Sequence, residues 1–426
     1  MKNKIKYSIL IVLFSWLVSV ADNKIAIIPR EQLKQNVFSL VQSAEEKIWV
    51  AHYIIYNDHT GKAFMSMLMK KAKAGVDVRV LIDGVGAGIK FPWKVSELKT
   101  FESAGVKIKI YNPKLRGLLR LNHRMHDKIL LCDKTVILGS SSIWDMSFYG
   151  YLHETDLILE GKSHDEIASH FNSLWSYKLS KQPFYWFQKK VSEDKIAKYI
   201  IKNDIGMVDE NTRNRLTWLN FKSIEYCNDG VFKNQESGIF KKSLHKLSQA
   251  KKEVIIVNPY FFPVKELEKV FVNLIEKGVK IKIYTNSSRS LAKEFTVLGI
   301  KYEKQFAKFK KLGLEIWELE NFRNVIQVHD KFIKIDDDCI YIGSLNLDRL
   351  GSYTNTENGI FINKGDSNKK EFNLLSKELN ARVLFIKSQS VLAFKDHAQF
   401  IKGGNDQSKC KNILFKCLLP LIKNCF

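Results

Sequence analysis

Apolar positions along the chain switch between helical and strand periods, and the sequence of switches runs twice. Leu33, Val37, Leu40, Val41 and Ala44 recur at helical spacing, and Ile48–Ile55 then reads as a buried strand. Phe64, Met67 and Leu68 mark one face of a second helix, which Gly75 ends by supplying a left-handed stop. Val76–Asp83 is the next strand, Val95–Ala104 a helix stopped by Gly105, and Val106–Tyr111 a third strand. Alternation of this kind predicts α/β layers.

The programme then repeats. Glu253–Asn258 reads as a strand, Leu267, Val270, Phe271 and Leu274 as a helix face ended by Gly278, and Val279–Tyr284 as a strand. Gly278 stands 203 residues after Gly75, and Phe309–Leu312 followed by Gly313–Trp317 mirrors Phe101–Ala104 followed by Gly105–Ile110. A period near 200 residues means two domain-sized repeats, not a solenoid. The expected divisions are 22–181 for the first domain, 182–242 for a connecting segment and 243–400 for the second domain, with a basic, apolar tail over 401–426. The aromatic cluster Phe184–Phe187 fits either a bilayer interface or the seam between repeats.

With 45% apolar and 27% charged residues in 426, the composition is that of a globular chain and excludes a largely disordered one. A formal net charge of +23 suits an anionic partner, a membrane surface or nucleic acid, without choosing between them. Lys2, Lys4 and Lys6 precede an uncharged run from Tyr7 to Ala21, with Ser19 and Ala21 before a cut ahead of Asp22. That order predicts a secretory signal peptide or an N-terminal anchor over 1–21, hence an exported protein, periplasmic, membrane-associated or secreted. Among the six cysteines, Cys132 and Cys339 lie in apolar strands as small buried residues, Cys227 stands alone, and Cys410, Cys417 and Cys425 cluster in the tail. No cysteine spacing matches a zinc site.

The chemistry also comes in duplicate. His126-Asp127-Lys128 runs through an apolar strand to Asp133, and His329-Asp330-Lys331 does the same to Asp336, again 203 residues on. A Gly-Ser pair follows each, Gly139-Ser140 and Gly343-Ser344, and a Glu stands 28 residues beyond each His, Glu154 and Glu357. His and Lys two apart on a strand share a face, whereas the Asp five beyond the Lys points the other way and suits structural pairing. An imidazole beside a cation suits attack on, and neutralisation of, a phosphodiester. One His can take the phosphoryl group covalently while the other gives and takes protons. Water as acceptor makes a hydrolase; an alcohol makes a transferase.

Both motifs, with their Gly-Ser and Glu partners, resemble the phospholipase D superfamily over about residues 30 to 365. The resemblance implies two tandem α/β/α repeats about a pseudo-twofold axis, sharing one active site without metal or cofactor. It makes His126, Lys128, Asp133, His329, Lys331 and Asp336 the expected catalytic set. On the substrate side it implies Ser140, Ser142, Ser344 and Asn346 as donors, and Glu154 and Glu357 as groups that orient the histidines. The family pattern has Asn two residues after the Ser; Asn346 fits it and Ser142 departs from it. Asn258-Pro259-Tyr260-Phe261-Phe262-Pro263, Leu121–His126, Thr285-Asn286-Ser287 and Asn346–Arg349 with Ser352 are similar to segments of bacterial cardiolipin synthases. That narrower resemblance implies phosphatidyl transfer between phospholipids at an anionic membrane surface through a phosphohistidine. A phospholipase D releasing phosphatidic acid is the alternative, and a nuclease a more distant one. Both motifs in one chain imply a monomer.

Overall fold

The computed structural model describes residues 23–86, 93–113, 123–183, 190–231, 238–287, 305–319, 327–366 and 368–392. The expected signal or anchor, the Phe184–Phe187 cluster, Leu121 and Asn122, and the tail with its cysteines lie outside those residues. The first half supplies β1 (Asn23–Ile27), β2 (Lys47–His52), β3 (Asp77–Asp83), β4 (Lys107–Tyr111), β5 (Lys128–Cys132), β6 (Thr135–Gly139), β7 (Leu152–His153), β8 (Asp156–Glu160), β9 (Ser180–Lys181) and β10 (Leu219–Phe221). The rest supplies β11 (Glu225–Asn228), β12 (Glu253–Val257), β13 (Lys280–Asn286), β14 (Glu315–Leu319), β15 (Gln327–Val328), β16 (Phe332–Ile335), β17 (Cys339–Gly343), β18 (Asn358–Asn363) and β19 (Ser390–Leu392).

Among the described residues these strands form two large sheets, in the orders β10-β1-β8-β6-β5-β2-β3-β4-β9 and β11-β18-β17-β16-β12-β13-β14-β19, while β7 pairs with β15. The run β8-β6-β5-β2-β3-β4 has its counterpart in β18-β17-β16-β12-β13-β14. In each, three strands linked by helices are parallel and the hairpin-linked ones antiparallel. The α/β repeat read from periodicity is therefore the fold. β2 stops at His52, short of the predicted Ile55, and the Tyr53 amide makes one more bond across to the segment before β5, to the Asp127 carbonyl (3.1 Å).

The segment 182–242, expected as a connection, contributes more than a link. It carries the helix Glu193–Lys202 and edge strands for both sheets, β10 beside β1 and β11 beside β18. Strands of three and four residues are too short to show a period.

Three apolar clusters account for the layers. One joins the inward faces of both sheets to the helices Ser163–Ser176 and Lys369–Ser388, with Leu131, Phe171, Val257 and Leu379 all buried. The other two lie between each sheet and its outer helices. The central strands are buried on both faces, which is why β5 and β17 read as continuous apolar runs rather than alternations. Cys132 and Cys339 are free and buried within them.

Candidate active site

Each motif lies at the start of a central strand, Lys128 being the first residue of β5 and Lys331 directly preceding β16. What leads into the motif is held by the other half of the chain. The His126 amide donates to the Thr356 carbonyl (3.0 Å), and the His329 amide to the His153 carbonyl (2.8 Å). β15 runs parallel to β7, setting Val328 opposite His153, and Met125 bridges Thr356 in the same way. Each motif thus lies beside the segment that bears the glutamate of the opposite repeat.

The side chains complete the exchange. His126 Nδ1 lies 3.0 and 2.9 Å from the two carboxylate oxygens of Glu357, and His329 Nδ1 lies 2.7 Å from Glu154 Oε1. A carboxylate only accepts, so each ring carries its hydrogen on Nδ1 and presents Nε2 as the free face. Lys128 Nζ donates to His126 Nε2 (3.1 Å) and to the His126 carbonyl (3.0 Å), whereas Lys331 Nζ donates to the His329 carbonyl (2.7 Å). The intervening aspartates also reach across: Thr356 Oγ1 donates to Asp127, which also meets His170 Nε2 at 2.8 Å, and Thr155 Oγ1 donates to Asp330.

Five of the six groups are buried and His329 is half-buried, and they sense one another. Burial pushes both imidazoles well below their ordinary pKa, and Lys128 and Lys331 together push each further down. Burial brings the Lys128 ammonium down to about 8 against the pull of Glu357 and Asp127, and it also lowers Lys331 well below its ordinary value, with Lys128 as its first repelling neighbour. Glu154 and Glu357 are raised by burial. Two cations and two neutral imidazoles facing one space have the chemistry of a receptor for a phosphate diester anion.

The remaining expected residues divide. Glu154 and Glu357 are partners of the rings, each of the histidine in the opposite repeat. Ser344 Oγ donates to Glu357 Oε2 at 2.5 Å, but Ser140 Oγ engages the backbone of Thr155 (2.9 and 3.3 Å), and Ser141 is the residue that reaches Glu154 (2.9 Å). Ser142 and Asn346 are buried at equivalent places, and the side-chain oxygen of Asn346 has no protein partner among the described residues.

Asp133 and Asp336 do not join the catalytic set. Each sits at positive φ (49° and 51°) in the turn after its strand and takes three backbone amides. Asp133 accepts from Glu45, Glu46 and Lys47, and Asp336 from Lys251, Lys252 and Glu253, all at 2.7 to 2.9 Å. They moor β5 to β2 and β16 to β12 at the end remote from the histidines.

Sequence reading passed over several positioning groups. Asp83 Oδ2 accepts from the Met125 amide (2.8 Å) and Asp83 also pairs with buried Arg124. Asn286 Oδ1 accepts from the Val328 amide and its Nδ2 donates to the Val328 carbonyl, both 2.8 Å. Asp83 and Asn286 are 203 residues apart, as are Met125 and Val328, so the offset alone could have found them. Asn258 holds the loop after Ser344 through the Leu345 carbonyl and the Leu347 amide, while Phe261 is core, packed on Phe271 and Phe309. Arg382, from the helix Lys369–Ser388, donates to the carbonyls of Glu154 (2.9 Å) and Ile28 (3.1 Å).

A family model described as cardiolipin synthase, PLD-like domain matches residues 37–175 and 244–379. The chain belongs to this phospholipase D-like family. Within the family, cardiolipin synthase C of Escherichia coli K12 is 25% identical over 375 residues, covering 76% of this chain and 78% of that protein. A cardiolipin synthase of Geobacillus kaustophilus is 22% identical over 363 residues, 82% of this chain and 64% of its own length. An uncharacterized protein of Helicobacter pylori is 26% identical over 369 residues, 76% and 72% of the two chains. The crystal structure of a phosphatidylserine synthase from Haemophilus influenzae superposes with a TM-score of 0.65 at 15% identity, covering 86% of this chain and 87% of that one, a likeness of fold.

Two outcomes follow from the placement of the carboxylates. Asp133→Ala should lower unfolding stability by about 2–3 kcal/mol in a denaturant titration, the scale of hydrogen bonds to a charged group, with turnover per folded molecule unchanged. Burial raises the Asp133 pKa, but the amides of Lys47, Glu45 and Glu46 outweigh it and hold the carboxyl below its ordinary value. Its stabilisation is therefore complete above the unfolded pKa and is lost as pH falls through the lowered folded one. Glu154→Gln and His329→Ala should be non-additive in turnover, and Glu357→Gln with His126→Ala likewise; additivity within either pair would contradict the crossed pairing.

Proposed function

We propose that the protein is a phosphatidyltransferase of the cardiolipin synthase type, working through a phosphohistidine on His126. The observation that carries the reading is the crossed pairing of His126 with Glu357 and of His329 with Glu154, which makes one buried site of two motifs. Family membership and the cardiolipin synthases among the relatives support the substrate class.

The role of each histidine follows from its Nε2. At His126 this atom accepts a hydrogen from Lys128, so it holds a lone pair, as a nucleophile must. That lone pair attacks phosphorus of the donor phospholipid as the bond from phosphorus to the head-group oxygen breaks. His329, neutral in the free site, takes up a proton on Nε2 as the phosphodiester anion binds and gives it to the departing alkoxide. It then withdraws the proton from a hydroxyl of the acceptor phospholipid, whose oxygen displaces His126 from phosphorus. The imidazoles are neutral in the free site because burial and the two ammonium groups disfavour charge. An entering phosphodiester anion compensates both ammonium groups and raises the affinity of His329 for its proton. Lys128 and Lys331 hold the non-bridging oxygens.

On the same reading the protein works at an anionic membrane surface on the outer side of the inner membrane. The net charge of +23 and the apolar run after Lys6 support that location.

Expression in a strain lacking cardiolipin synthases, followed by lipid mass spectrometry, tests the function. Cardiolipin should form with the wild type and not with His126→Ala. Phosphatidic acid without cardiolipin would make the protein a hydrolase, and degradation of plasmid DNA with unchanged lipids would overturn the lipid reading. Trapping with labelled donor should leave phosphate on His126 in the His329→Ala variant. The kcat/KM profile should fall as pH rises through about 8, where the free-enzyme Lys128 ammonium loses its proton.

A further inference from the structure

The two histidines do not have equivalent surroundings, and the difference lies behind the glutamates. In the second half, Ser344 Oγ donates to Glu357 and accepts from the Asn358 amide (3.0 Å). Its one hydrogen and one of its lone pairs are used, and nothing further is needed. In the first half, Ser141 Oγ lies between two carboxyl groups, 2.9 Å from Glu154 Oε2 and in closer contact with Asp156 Oδ2. A hydroxyl has one hydrogen to give. It donates to one carboxylate, and the other contact is a hydrogen bond only if that carboxyl brings a hydrogen of its own.

We propose that Glu154, Ser141 and Asp156 form a buried unit that holds one carboxyl proton behind His329, and that Asp156 is a positioning residue setting the proton affinity of that histidine alone. The inference rests on the acid–base role given to His329 above.

Strand register identifies the counterpart of each member. Asp156 pairs with Gly139 on β6, and the residue pairing with Gly343 on β17 is Gly359. Ser141 and Leu345 each stand two residues after those glycines. The second half therefore has Gly and Leu where the first has Asp and Ser. The structural duty of Asp156 is met there by other means: Ser141 N–H donates to Asp156 Oδ1 (3.0 Å), and Leu345 N–H donates to the Tyr341 hydroxyl (3.3 Å). Tyr341 fills the space that a side chain at 359 would need. The contact of Asp156 Oδ2 has no such counterpart and is left for a protonic role.

The groups around the unit favour one extra proton. Burial and the neighbouring Glu154 charge push Asp156 up to about 7, and burial raises Glu154. Lys331, Lys128 and Arg382 pull the other way, Arg30 lies near Glu154, and Ser147 Oγ also faces Glu154. His52 lines a cavity of about 20 Å³ with Lys128, Ser141 and Asp156, but burial and Lys128 hold it at about 3, so it stays neutral. Glu154 in turn lines a cavity of about 690 Å³ with Arg30, His153, Asp330, Arg382 and Phe385, a route for proton exchange with solvent. Above neutral pH the unit loses its proton, and the second negative charge strengthens the hold of His329 on its own.

Infrared pH titration of the full-length protein without substrate tests the unit independently of any lipid activity. The wild type should show a protonated-carboxyl band at pH 6 that disappears as pH rises through about 7. Asp156→Asn supplies a hydrogen to Ser141 from its amide, without a carboxyl proton, and should lack the band; Ser141→Ala should move its titration. No such band in the wild type, or an unaltered one in both variants, overturns the proposal. In turnover, the wild-type to Asp156→Asn kcat ratio should rise from near one at pH 6 to about tenfold at pH 8.5, the effect of about one pKa unit on His329. A pH-independent ratio would mean that Asp156 serves only the loop.

Discussion

A buried imidazole needs a partner for its inward nitrogen, and for each of the two motif histidines that partner belongs to the other repeat. Glu357 holds His126 and Glu154 holds His329. Neither half has a finished catalytic dyad of its own. Removing one carboxylate strands a ring, and removing one half strands a glutamate. Leaving a buried charge uncompensated costs several kcal/mol, so the same pairs that orient the rings also fasten the repeats together. Backbone pairing of β7 with β15 and the Arg382 bonds to Glu154 and Ile28 carry the same seam outward from the site.

Much else in the fold serves to keep that seam in register. Asp133 and Asp336 fix the far ends of the motif strands, and Asp83 and Asn286 fix the near ends by catching the amides one residue before each His. Each motif is thus held at both ends by groups that never meet the substrate space. The lysines can then be buried close to one another, an arrangement in which burial depresses both, Lys128 depresses Lys331 further, and an arriving dianion or diester brings relief.

The duplication was legible because a fixed offset of 203 residues ties His126 to His329 and Gly75 to Gly278. So were the α/β layers, whose strands and helices are long enough to show a period. The crossing was not. An offset says which residues are equivalent and is silent on which partner each one takes. Glu154 lies 28 residues after His126 and could as well have served it; the actual partner, Glu357, is 231 residues away. Strand parity did put the motif aspartates on the far face, yet their number and position in the motif still suggested chemistry. Only the three amides around each carboxylate assign them to the fold. Ser140 was singled out as a donor and Ser141 was not, because neighbouring serines cannot be told apart until the backbone of Thr155 takes the first and Glu154 the second.

Crossed pairing also changes what a departure from the motif means. Ser142 replaces an expected Asn in the first repeat, the repeat that carries His126. The loop that carries it, however, faces the other histidine: Ser141 contacts Glu154, and the backbone of Ser140 favours the protonated form of His329. The irregular half therefore modifies the environment of the regular half's imidazole. A dimer of identical single-motif chains could not do this, since any change near one ring would appear near both. Fusion of the repeats lets Asp156 and Ser141 stand behind one histidine's glutamate while Gly359 and Leu345 occupy the same positions in the other half. Two histidines in like motifs thereby stand in unlike surroundings.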